Sequence, residues 1–129
     1  MQPNPTGERL LTELDFARLS KLRGGPLPHE LSAAELVPSR EIAPDVVTMY
    51  SQVEIILTDS GLRQKLTLCY PADAEPALGF VSVLSPIGAA LLGLRAGDLA
   101  CWRLPDGEER LATVAAILFQ PEASGDYTT

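Results

Sequence analysis

The chain has 129 residues, 46% of them hydrophobic and only 5% aromatic, and 17 Asp+Glu against 10 Lys+Arg leave it at −7. That composition describes a single acidic globular domain able to bury a core without disulfide or metal support. It excludes the basic balance on which phosphate-driven DNA or RNA binding depends.

The first predicted element is a helix over 13–23. Leu14, Phe16, Ala17, Leu19 and Leu22 recur at three- and four-residue spacing, as one buried face requires. Thr12 suits the N-cap, and Asp15 suits the positive helix end. Gly24-Gly25-Pro26 stops the run. A shorter amphipathic piece over 28–36 offers Leu31, Ala34 and Leu36 to the first helix, so the two read as a helical hairpin. Pro38, Ser39 and Pro44 bracket a connector, which divides the chain into an N-terminal arm, 1–43, and a second unit, 44–129.

Beyond Val46 the period becomes two. Val53, Ile55 and Leu57 lead to the turn residues Asp59-Ser60-Gly61, and Leu62, Gln64, Leu66, Leu68 and Tyr70 alternate on the way back, which predicts a hairpin. After a proline-bounded loop, 71–76, comes a short strand, 80–84. A compact helix then opens with Ser85 as N-cap and Pro86 at its first position and closes at Gly93. A final hairpin runs 98–104, turns at Pro105-Asp106-Gly107 and returns over 109–119, and 121–129 read as a tail. The fold class expected is α+β: a short N-terminal helical hairpin followed by a small antiparallel sheet with one helix.

Charge is uneven along this layout. Residues 1–44 hold six acids and five bases, whereas 45–129 hold eleven acids and five bases. Such a surface suits a basic patch on another protein, and it also simply keeps a small domain soluble. The apolar stretches 114–119 and 89–92 are far below the roughly 20 residues that span a bilayer. The first seven residues show no basic and then apolar leader pattern. A cytoplasmic protein without membrane association is the expectation.

Catalytic groups are scarce. The single histidine, His29, sits in a proline-flanked turn. Cys69, Cys101 and His29 show no metal-ligand spacing, so no metal site is expected. Both cysteines fall in apolar alternating runs, as small buried hydrophobes do. Lys21 and Lys65 belong to no phosphate-binding loop, and no G-x-G-x-x-G occurs, so no cofactor is expected. Glu108 and Glu109 are adjacent beside a turn, where paired acids are solvated. The chain reads as a non-enzyme.

The distinctive segment is Ser85-Pro86-Ile87-Gly88-Ala89-Ala90-Leu91-Leu92-Gly93, followed by Gly97-Asp98, a strand and the Pro105-Asp106-Gly107 turn. This order resembles the C-terminal domain of the GreA/GreB transcript-cleavage factors. Pro44-Asp45-Val46-Val47-Thr48-Met49, Gly88 through Arg95, and Gln120 through Tyr127 further resemble the Rnk family, the regulators of nucleoside diphosphate kinase. The likeness covers roughly 44–127 well and the helical start weakly.

The resemblance implies an FKBP-like sheet unit and docking at the secondary-channel rim of bacterial RNA polymerase. In Gre factors a long helical hairpin carries acids down that channel toward the catalytic magnesium. Here a helix over 13–23 would be about 16 Å long, and 24–30 offers one acid, Glu30. Occupancy without stimulated cleavage is therefore the expectation. The resemblance also places a polymerase contact at Leu84, Ser85 and Pro86. The resemblance implies an acid where this chain has Leu84, a departure that leaves Ser85 and Pro86 as the candidate contacts and puts the electrostatic part of that grip in question. The stronger reading of Ser85 and Pro86 is structural, as N-cap and first helical residue, and Leu84 can end its strand facing inward or make an apolar contact. Two other functions stay open: control of nucleoside diphosphate kinase, direct or through expression, and prolyl isomerisation, which only the FKBP-like topology suggests.

Overall fold

The computed structural model describes residues 9–21 and 34–126. Among these residues seven strands and two α-helices form a five-stranded sheet plus a separate parallel pair: β1 (Leu10–Thr12), α1 (Glu13–Leu19), β2 (Glu35–Val37), β3 (Gln52–Leu57), β4 (Arg63–Cys69), β5 (Phe80–Ser82), α2 (Pro86–Leu91), β6 (Leu99–Arg103) and β7 (Glu109–Phe119). The sheet order is β5-β4-β3-β7-β6.

Both predicted hairpins form. β3 and β4 pair antiparallel with Val53 opposite Leu66 and Ile55 opposite Gln64. Their turn closes through Gly61, whose φ of +73° a side chain would resist. β6 and β7 pair antiparallel with Ala100 opposite Ala112. β7 also pairs antiparallel with β3, and two register shifts along that ladder bend the sheet. The sheet is mixed rather than wholly antiparallel, because β5 runs parallel to β4. The loop between them, with 3-10 turns at Pro71–Asp73 and Pro76–Leu78, carries the chain back to start in the same direction.

Alternation puts Val53, Ile55, Leu66, Leu68, Ala100, Ala112 and Val114 on one face, where Leu91, Leu92 and Leu94 of α2 and its exit cover them. Val47 and Met49, just before β3, are fully buried in the same cluster, as are Leu11 and Leu19 from the N-terminal arm. The described part of the arm is therefore packed on the sheet unit. It is tied there by a polar bond as well as apolar contact: Leu10 N–H donates to Gly93 C=O at 3.1 Å.

The helical hairpin expected at the start is corrected in part. α1 forms and Thr12 caps it, accepting from Asp15 N–H at 3.0 Å, but the helix ends at Leu19. The end of the second expected helix is strand instead: Glu35–Val37 pair parallel with Leu10–Thr12. Leu36 is 40% exposed rather than turned onto α1. Ladder bonding and the β-branched Val37 override the helical spacing there. Residues 22–33, which hold the rest of that prediction, the Gly24-Gly25-Pro26 stop and His29, lie outside the described residues. The predicted tail is also corrected. Gln120 Nε2 donates to Ala43 C=O and Val46 C=O, each at 2.8 Å, and a 3-10 turn over Glu122–Ser124 buries Glu122.

Candidate functional site

The Ser82–Gly88 corner is built from bonds a few residues apart. Val81 and Val83 are buried and fix the strand exit, and Val83 N–H donates to Cys69 C=O at 2.9 Å. Ser82 then holds the turn from both its ends. Its hydroxyl accepts Leu84 N–H at 3.0 Å, and its carbonyl accepts Ser85 N–H at 3.0 Å and the Ser85 hydroxyl at 2.6 Å. The Ser85 Oγ accepts in turn from Gly88 N–H at 3.2 Å, which makes Ser85 the N-cap of α2, with Pro86 at the first helical position.

Gly88 is required here. A Cβ at that position would lie 2.0 Å from Ser82 C=O, closer than any real contact. Helix and strand exit thus meet backbone to backbone, and the turn between them is pushed outward. Leu84 projects at 43% exposure, Pro86 is exposed, and Ser85 is half-buried. The three residues singled out from the sequence therefore form one rigid knuckle. Leu84 faces solvent, not the core.

Two buried polar ties that sequence reasoning missed hold the arm. The Arg9 guanidinium, 6% exposed, donates from Nη1 to Ala89 C=O at 2.8 Å and Leu92 C=O at 2.9 Å, so it caps the far end of the same α2. Asp15, 1% exposed, accepts Met49 N–H at 3.2 Å. Burial is the main reason its carboxyl is pushed up to about 7; the nearby Glu122 adds to the rise, while the bonds from Met49 and Thr12 oppose it. Glu122 is itself raised by burial, although it accepts the Thr48 hydroxyl at 2.7 Å. The 48–51 turn thus sits between two buried acids. Within it Tyr50 has a φ of +65°, donates its hydroxyl to Asp73 and packs edge-on against Tyr70 at 5.7 Å. No spacing rule signals such contacts, since their partners lie tens of residues away.

The arrangement presents a fixed, partly apolar surface. Among the described residues no cluster of His, Cys, Asp or Glu could hold a metal ion, and no helix is long and apolar enough to cross a membrane. Cys69 is a buried free thiol and Cys101 a half-buried one. Phe80 on β5 and Trp102 on β6 stand at opposite edges of the sheet, so they line no common aromatic pocket of the kind a prolyl isomerase needs.

The sheet unit and its covering helix fall within the stretch that comparison with known proteins assigns to a family. The family model "Transcription elongation factor, GreA/GreB, C-term" matches residues 42–119, and the chain belongs to that family. A curated relative, "Regulator of nucleoside diphosphate kinase" of Escherichia coli K12, is 38% identical over 128 residues, covering 92% of this chain and 94% of the relative. The transcription elongation factor GreA of Solidesulfovibrio magneticus is 33% identical over 74% of this chain, which spans 58% of that factor. Among solved structures, a GreA/GreB elongation factor from Nitrosomonas europaea superposes with a TM-score of 0.69 at 34% identity, covering 88% of this chain and 99% of that one.

Proposed function

We propose that this chain is a regulator that binds RNA polymerase at the rim of the secondary channel, through the Leu84–Ser85–Pro86 knuckle, and does so in the cytoplasm without stimulating transcript cleavage. The observation that carries this reading is the knuckle itself. Its backbone is locked by Ser82, Ser85 and Gly88, and its apolar tip is held out to solvent with no intramolecular task. A preorganised, exposed apolar corner binds with little ordering penalty.

The absence of stimulated cleavage rests on reach. β1 ends at Thr12 and its parallel partner β2 begins at Glu35. α1 accounts for only about 10 Å of helix in its seven residues. Asp15, one of the arm's acids, is turned into the core rather than toward a tip. Such an arm blocks a channel mouth better than it delivers carboxylates to a distant metal ion.

The test is titration of core RNA polymerase across a salt series, with a GreA factor as competitor, alongside cleavage of RNA in a backtracked complex. Competition without accelerated cleavage is expected. Accelerated cleavage, or no binding at any salt, overturns the reading. A second reading, control of nucleoside diphosphate kinase, is favoured by the name of the E. coli relative. Co-purification of that kinase with the pure chain would make the control a direct contact.

A further inference from the structure

β6 is an edge strand of the five-stranded sheet. Leu104 N–H bonds to Glu108 C=O and Val114 N–H to Asp98 C=O, so by antiparallel alternation the even residues Ala100 and Trp102 spend their backbone groups on β7. The N–H and C=O groups of Cys101 and Arg103 point the other way. Among the described residues no backbone bond reaches them.

That open edge forms one wall of a groove of about 310 Å³ whose other wall is α2, with Pro86, Ala89 and Ala90 facing Trp102. The α2 side presents small side chains, and the edge side presents hydrogen-bonding backbone. Charge completes the picture. In a chain of −7, this groove is lined by two arginines, Arg9 and Arg103, and by no carboxylate. Arg9 is committed to the α2 carbonyls, but Arg103 is exposed and reaches Glu109 only at 3.9 Å.

We infer that β6 accepts an extended segment of a partner protein as a sixth strand, laid in the groove against α2. The segment carries a small apolar residue on the side facing Ala89 and an acidic residue beside Arg103. The wall geometry gives the first requirement, because partner side chains must alternate between α2 and the opposite face. Arg103, exposed and held by Glu109 only through a long, solvent-screened pair at 3.9 Å, gives the second. This inference does not rest on polymerase binding: the groove shares Pro86 with the knuckle, but its hydrogen-bonding wall is the β6 edge and it does not include the Leu84 tip.

The experiment uses the full chain and a capped peptide, acetyl-Thr-Val-Glu-Val-Thr-Val-amide, with a Lys-for-Glu version and a version N-methylated at alternate residues. Backbone amide exchange is read by NMR. In the free chain Cys101 and Arg103 amides exchange fast while Ala100 and Trp102 exchange slowly. The Glu peptide slows the two fast amides, the N-methylated peptide does not, and the Lys peptide binds roughly fivefold more weakly, the weight of one exposed ion pair. Arg103→Glu, a substitution on an exposed side chain, reverses the Glu/Lys preference. Leu84→Glu leaves peptide binding unchanged, which separates this groove from the polymerase contact. The inference is overturned if the Cys101 and Arg103 amides are already slow in the free chain, if their slowing tracks chain concentration and so reports a second copy, or if no peptide slows them.

Discussion

The knuckle and the arm are fastened in opposite ways. Every bond that shapes the Ser82–Gly88 corner joins residues within seven positions of each other, apart from Val83 N–H to Cys69 C=O. The arm is held by Arg9 bonding 83 residues away at Leu92 and Asp15 bonding 34 residues away at Met49. A locally built feature keeps its shape as long as the sheet exists. A feature fastened over long separations is only as secure as the protonation and packing of its few ties. The first is suited to presenting a fixed contact, the second to being loosened.

The sharpest way to break this contrast is at the corner's steric centre. Gly88→Ala places a Cβ against Ser82 C=O with no flexible atom to yield, so the loss should exceed the ~3 kcal/mol upper range of ordinary overpacking. Urea unfolding checks it, and near-neutral behaviour would mean that helix and strand are not so closely set.

Arg9→Met comes next. It keeps much of the stem but strips donors from two α2 carbonyls, with an expected loss of about 3 kcal/mol. Amide exchange should show arm protection falling before that of β3 and β7.

The pH response ranks third. The folded chain keeps the Asp15 proton up to about 7, whereas the unfolded chain releases it near 3.8. The folded state therefore binds more protons between those values, and stability falls as pH rises. The loss between pH 5 and pH 7 is about 2 kcal/mol, complete once pH passes 7. Asp15→Asn should flatten that slope in urea titrations run at each pH, and an unchanged slope would assign the effect elsewhere.

The smallest effect is Ser85→Ala, about 1 kcal/mol for the lost N-cap. Thermal unfolding should report it with little change in the rest of the sheet.

The same contrast explains what could be read from the amino acids. The two hairpins, the cap at Ser85, the proline at 86 and the short helix were legible because period-two alternation and capping chemistry are local signals. The β2 strand was not, since Leu31, Ala34 and Leu36 carry a helical spacing that only pairing with Leu10–Thr12 overrides. Asp15 was legible as a helix-start acid, but its burial under Glu122 and Met49 depends on how the C-terminal turn folds back. Leu84, open to two readings in the sequence, is turned outward because Val83 takes the inward place. The groove beside β6 left no sequence signal, because edge position is a property of sheet order.

The most direct measurement of the central claim is the affinity of core RNA polymerase for the wild-type chain and for Leu84→Glu, compared at equal thermal stability. The account predicts that the substitution weakens binding by about tenfold, as loss of a central apolar anchor does, while the unfolding midpoint stays in place. Equal affinity of the two proteins for the polymerase would contradict it.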